Sequence, residues 1–160
     1  MISGVMEPAL TVGDMERSLA FYRDLLGFRV VEEKGDRSPM SREEQARWHA
    51  YHEEVCGIKG ARIHVVLVEA PDGSKLELIE YTAPKVTPLP RRALSDPGVA
   101  MMAFSVHDSV KAVRRLRDAG VEVVADPVRY VLEGITSYTT YLYDPDGNAI
   151  CLFEVVEGDR

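Results

Sequence analysis

The chain has 160 residues, 46% of them hydrophobic, and a formal net charge of −7, which is enough to bury a core without disulfide or metal staples and too apolar for a disordered chain. Its apolar runs are too short to span a membrane, and its basic residues are scattered, the nearest cluster, Arg114-Arg115-Arg117, falling on the polar face of a predicted helix, which speaks against a nucleic-acid surface. The opening Met1-Ile2-Ser3-Gly4-Val5 has no basic stretch leading into a long apolar one, so a cytoplasmic protein with reduced thiols at Cys56 and Cys151 and a small-molecule partner is expected.

Residues 5–12 alternate as a strand, with Leu10 and Val12 on one face and Glu7, Ala9 and Thr11 on the other, and Pro8 suits a strand start. Asp14 is a good N-cap for a helix whose stripe is Met15, Leu19, Tyr22 and Leu26 and whose stop is Gly27. Phe28 to Glu32 reads as the next strand, after which polar residues break the pattern and mark an insert over 33–61. Inside it, Ser41 and Glu44 form a capping box, and Ala46, Tyr51 and Val55, with Trp48 nearby, predict a short amphipathic helix ended by Gly57 and Gly60. On that helix His49 and His52 read as a solvated face rather than a ligand pair, for want of a third partner. Ile63 to Glu69 and Leu76 to Tyr81 predict a hairpin around Pro71-Asp72-Gly73-Ser74.

Residues 82–98 carry Pro84, Pro88, Pro90 and Pro97, which donate no ladder hydrogen bonds and suit a linker. Beyond it, Val99 to Val106 reads as a strand. Asp108 opens a helix bearing Val110, Val113 and Leu116 that stops at Gly120, and Val121 to Val124 reads as a further strand. Ile135 to Tyr143 and Ala149 to Val155 close the chain around Asp144-Pro145-Asp146-Gly147-Asn148.

The second half repeats the first. Ala9-Leu10-Thr11-Val12-Gly13-Asp14 returns as Ala103-Phe104-Ser105-Val106-His107-Asp108, and Pro71-Asp72-Gly73 returns as Pro145-Asp146-Gly147. The expectation is one α+β domain over 1–160, made of two βαβββ modules (1–81 and 99–160) that form a curled mixed sheet around a cleft.

Thr11 to Phe28, reading TVGDMERSLAFYRDLLGF, together with Tyr143-Asp144-Pro145-Asp146-Gly147-Asn148, resembles the vicinal-oxygen-chelate superfamily, which includes glyoxalase I, methylmalonyl-CoA epimerase, extradiol dioxygenases, fosfomycin-resistance enzymes and bleomycin-sequestering proteins. The resemblance covers nearly the whole chain except 33–61, and it implies fold far more than activity. It also implies homodimerisation. By position, it places the family's metal ligands at Glu7, Glu77, Met101 and Cys151, where relatives usually carry His or Gln and Glu. Two carboxylates, a thioether and a thiol mix hard and soft donors, so no metal cofactor is expected, a divalent ion at Glu7 and Glu77 being the open alternative.

Pairing the first hairpin symmetrically about Gly73 sets Val68 opposite Glu77, Val66 opposite Ile79 and His64 opposite Tyr81, so that Glu7, His64, Glu77 and Tyr81 share one face as candidate catalytic groups. The same register in the second hairpin brings Tyr138, Thr140 and Leu142 to the face of Cys151, Phe153 and Val155. With Thr11, Trp48, Met101 and Ser105, the residues Tyr138, Thr140, Cys151 and Phe153 are candidate ligand contacts. Each has a plainer reading beside it: Glu7 as a solvated strand residue, His64 as a hydrogen-bonded sheet histidine, Cys151 and Met101 as packing, Trp48 as ordinary packing. A small, partly aromatic organic molecule fits such a cleft. Two functions follow: a metal-independent lyase or isomerase in which Glu77 or Glu7 shuttles a proton and His64 or Tyr81 stabilises an enolate-like oxygen, or a sequestering protein for a natural product or antibiotic.

Overall fold

The computed structural model describes residues 2–85 and 90–156, so Pro88 of the expected linker lies outside the described residues. The chain divides into two compact units, Met1–Leu89 and Pro90–Arg160. Each holds a four-stranded mixed sheet, and the fold is α+β as the repeat predicts.

In the first unit β1 (Ala9–Val12), β2 (Arg29–Gly35), β3 (Arg62–Glu69) and β4 (Lys75–Ala83) order as β1-β4-β3-β2, with β1 parallel to β4 and the other pairs antiparallel. Asp14 caps α1 (Met15–Leu19), its side chain accepting from the Arg17 backbone N–H, and the helix continues as a π-helical stretch over Ala20–Leu25. Met15, Leu19, Tyr22 and Phe28 are buried, as are Val66, Val68, Leu76 and Leu78 along one face of the sheet, and α1 packs on β4.

The second unit repeats the plan with β5 (Met101–Ser105), α3 (Ser109–Asp118), β6 (Val128–Leu132), β7 (Ile135–Tyr143) and β8 (Ala149–Val156) in the order β5-β8-β7-β6. The repeat extends to a device the sequence did not announce. Glu80 on β4 accepts from the backbone N–H of Met15 at 3.3 Å, and Glu154 on β8 accepts from that of Ser109 at 2.7 Å. A carboxylate from the last strand thus satisfies an orphan donor at the start of each helix and meets its positive end.

Three expectations are corrected. First, β2 does not end at Glu32: a bulge between Val30 and Glu32 lets Glu33, Lys34 and Gly35 pair with Val66, Val65 and His64, so the polar residues belong to the strand and the insert begins after them. Second, Val121 to Val124 forms only a bridge from Val123 to Leu142, whereas the second strand of this unit is Val128–Leu132. It joins β7 through Glu133 (φ 50°) and Gly134 (φ 81°), both left-handed as a two-residue hairpin turn requires. Third, both large hairpins are shifted by one residue from the expected register. Their turns hydrogen-bond Gly73 N–H to Ala70 C=O and Ala70 N–H to Ser74 C=O, with Gly147, Asp144 and Asn148 doing the same in the second unit, and both glycines are left-handed. The loop is a type I turn closed by a glycine, and its centre is the Asp rather than the Gly. Hence Leu67 faces Glu77, His64 faces Glu80, and Tyr141 faces Cys151.

The insert helix, α2 (Arg42–Cys56), starts with the expected capping box between Ser41 and Glu44 and ends at left-handed Gly57. Its covered stripe is Gln45, Trp48, His49 and His52, while Tyr51 and Val55 are mostly exposed. A polar hinge attaches it to the sheet. His49 accepts from the Ile63 backbone N–H at Nδ1, which leaves Nε2–H to donate to Asp36 at 3.1 Å. Asp36 is further held by the Arg62 guanidinium, with Nε 3.1 Å away, and by the Thr82 hydroxyl. His49 is therefore an anchor rather than part of a solvated face. Among the described residues no helix is long and apolar enough to cross a membrane.

Leu78 is fully buried at the centre of the first unit, so Leu78→Ala should lower that unit's stability by about 2–5 kcal/mol in chemical denaturation. The Arg62 and Thr82 hydrogen bonds hold the Asp36 carboxyl well below the usual carboxylate range. A depressed value stabilises the fold above the unfolded pKa, roughly pH 4, and this contribution is lost as pH falls through the folded value. Emission from Trp48 should accordingly report an acid-induced loosening of α2, which Asp36→Asn displaces to neutral pH.

Candidate functional site

Strand alternation in the observed register divides the first unit's side chains into two sets. One row across the sheet is Glu32, Leu67, Glu77 and Ala9, and the next is Lys34, Val65, Ile79 and Thr11. These rows share the face opposite to Val66, Leu78 and Glu80. Here a cavity of about 220 Å³ is lined by Met6, Glu7, Glu32, Lys34, Trp48, Val65, Leu67 and Glu77. Trp48 reaches it from α2 and Lys34 from the edge strand β2, which the bulge at Val30 to Glu32 turns so that both Glu32 and Lys34 point inward.

In the pocket the charged residues of β2 and β4 flank an apolar strip, Val65 and Leu67, on β3 between them. Glu77 is partly buried, and its carboxyl is pushed above the usual value by burial first and by the neighbouring Glu7 second, while His52 and Lys34 pull it back. Lys34 Nζ lies 2.7 Å from Glu32 Oε1 and 5.4 Å from the centre of the Trp48 ring. Trp48 also stacks obliquely on His52, with ring centres 4.2 Å apart, and His52 donates from Nδ1 to the Trp48 carbonyl at 2.9 Å. Gly35 makes room for the indole: a Cβ there would come within 2.9 Å of Trp48 Nε1 and 2.0 Å of the Ile63 carbonyl.

Of the expected catalytic residues, Glu7 and Glu77 meet in this pocket and the other two do not line it. His64 is on the opposite face, only 2% exposed, with Nε2 2.7 Å from Glu33 and Nδ1 3.9 Å from Glu80. Tyr81 shares the face of Glu77 but sits two ladder steps away, donating its hydroxyl to Cys56 Sγ at 3.4 Å, an interaction that raises the phenol's pKa. Thr11 is exposed on the pocket face, one row beyond Glu77. Trp48 does line the pocket.

In the second unit Cys151 shares its face with Tyr141, Phe153 and Ser105, and Met101 is 46% exposed. Tyr138 and Thr140 are on the other face, the one-residue shift having turned both away; Thr140 is buried and donates to the Ala125 carbonyl at 2.6 Å. Two residues of the pocket, Glu32 and Lys34, were missed: Lys34 was read as part of the insert, and Glu32 as the end of a strand to which no inward position was assigned. Their alternation with Val31 and Glu33 was the available signal.

The four positions that the resemblance assigns to metal do not suit one cation. Glu7 and Glu77 are hard donors, Met101 is a thioether, and burial pushes the Cys151 thiol up, which favours the protonated form over the thiolate a metal takes. Among the described residues no three His, Cys, Asp or Glu side chains gather as a metal site.

The family model of the Glyoxalase/Bleomycin resistance protein/Dioxygenase superfamily matches residues 4–152. In structure the chain is similar to a glyoxalase family protein from Bacillus cereus, with a TM-score of 0.79 and 19% identity over 98% of this chain and 97% of that one. It is similar also to a glyoxalase family protein from Enterococcus faecalis (TM-score 0.61, 19% identity, 95% and 98% covered) and to a glyoxylase/bleomycin resistance protein/dioxygenase domain from Frankia sp. EAN1pec (0.61, 20%, 99% and 96%). No curated protein matches the chain. At such identities the structural likeness is one of fold, whereas the family model spans both βαβββ copies and their turns. The chain belongs to the Glyoxalase/Bleomycin resistance protein/Dioxygenase superfamily.

Proposed function

We propose that the protein binds a small, partly aromatic organic molecule in the pocket of its first unit and that Glu77 exchanges a proton with it, in a metal-independent reaction of the lyase or isomerase kind. The observation that carries this reading is the environment of Glu77: a half-buried carboxyl, raised by desolvation and by Glu7, on the floor of a cavity walled by Trp48, Val65 and Leu67. A carboxylate with a raised pKa is a stronger base than a solvated one, which favours taking a proton from carbon. Lys34, from β2, supplies the positive charge on the same face, in the place the sequence had given to His64 or Tyr81. No step passes through a metal.

A second reading, sequestration without chemistry, is supported by the positions of His64 and Tyr81, neither of which lines the pocket.

A thermal-shift screen against aromatic metabolites and antibiotics should raise the melting temperature with compounds that bind the native pocket. With a ligand that turns over, Glu77→Gln should lower kcat by about 10²-fold or more with affinity little changed. Because the carboxyl must be ionised to accept a proton, kcat/KM should rise with pH through the raised Glu77 pKa, and the glutamine variant should lack that limb. A variant that changes affinity alone selects sequestration.

A further inference from the structure

We propose that the ligand of this pocket carries a cationic nitrogen as well as an aromatic ring, the nitrogen held among Glu7, Glu32 and Glu77 and the ring against Trp48. The proposal rests on the pocket being a small-molecule site and names the chemistry it selects.

Three carboxylates and one ammonium line the cavity. Lys34 is paired with Glu32 at 2.7 Å, and Glu7 and Glu77 line the same cavity without an ion pair of that kind among the described residues. Burial, and after it the like charge of Glu7, pushes the Glu77 carboxyl above its ordinary value. A ligand ammonium relieves that repulsion, whereas a ligand carboxylate adds to it.

Lys34 also shows how a cation is accommodated here. Its ammonium sits over the Trp48 ring at 5.4 Å while paired with Glu32, the combination of aromatic face and carboxylate by which proteins hold alkylammonium groups. The Lys34 side chain is 38% exposed on a flexible stem, so it can leave this place to an incoming cation without disturbing the ladder. Met6, Val65 and Leu67 supply the apolar remainder of the lining. The cavity, about 220 Å³, exceeds the roughly 150 Å³ that accommodates a benzene ring.

Trp48 is the only tryptophan of the chain, so its emission reports on this pocket alone. Three probes of matched shape separate the charges: 2-phenylethylamine, 2-phenylethanol and 3-phenylpropionate. The amine is expected to perturb Trp48 and to bind at least about tenfold more tightly than the alcohol, with the propionate weakest. Its affinity should fall on acidification as Glu77 takes up a proton, the amine itself staying charged. Lys34→Met should tighten the amine by freeing Glu32, and the double variant Glu7→Gln with Glu77→Gln should bring amine and alcohol to the same affinity, with circular dichroism checking that both variants fold. Equal binding of amine and alcohol, a preference for the propionate, or weaker amine binding by Lys34→Met overturns the cationic ligand and leaves the pocket reading standing. Silence of Trp48 toward all three probes also overturns it, and the thermal-shift screen then decides separately whether the pocket reading falls as well.

Discussion

The hairpin turn from Ala70 to Ser74 governs which side chains the first unit presents to its pocket. A strand has two faces, and moving its pairing by one residue exchanges them completely. Because Gly73 takes the left-handed position after a type I turn, the ladder is centred on Asp72, and Glu77 falls opposite Leu67 while His64 falls opposite Glu80. The same turn recurs at Asp144 to Asn148 and sets Tyr141, rather than Leu142, beside Cys151. A charged pocket on one face and a dry core on the other both depend on that single backbone conformation.

The core face has its own use for charge. Glu80 and Glu154 close the first turns of α1 and α3, and Arg37 pairs with Glu80 from the loop after β2. His64, buried between Glu33 and Glu80, belongs to this structural set. Buried polar groups of this kind are tolerated because they are paired, and their removal costs more than their presence gains. In the first unit, then, Glu80 and Glu33 on the helix-packed face are held by a backbone N–H, Arg37 and His64, whereas Glu7 and Glu77 on the other face have no such hydrogen bond or ion pair among the described residues.

The two copies share a frame and differ in what was added to it. The first unit gains α2, fastened to the sheet by Asp36 and His49, and with it the aromatic wall of the pocket. The second has a two-residue hairpin in the corresponding region, and its β6 is exposed along its whole length. The two copies hold equivalent positions, Glu77 and Cys151 among them, and the insert helix sets Trp48 in the same cavity as Glu77.

From the sequence alone come the duplication, the caps at Asp14, Ser41 and Asp108, the capping box with Glu44, the glycine stops, and the α+β class with its superfamily. All of these rest on local chemistry, a hydrogen bond within a turn or an apolar period within one element. The tertiary structure decided the rest. Hairpin register depends on a φ value that a Pro-Asp-Gly triplet permits in more than one turn type. The continuation of β2 through Glu33 and Lys34 depends on a bulge and on distant partners in β3, Val66 and Val65. The inward stripe of α2, made of Gln45, Trp48, His49 and His52, has no apolar period to betray it, because what covers it is a polar network rather than a core. Glu77 was legible from strand alternation and Glu7 from its place just ahead of the first strand, although β1 begins at Ala9 rather than at residue 5 and Glu7 lies outside it. Lys34 and Glu32 were not, because only long-range pairing gives a polar run of residues a face.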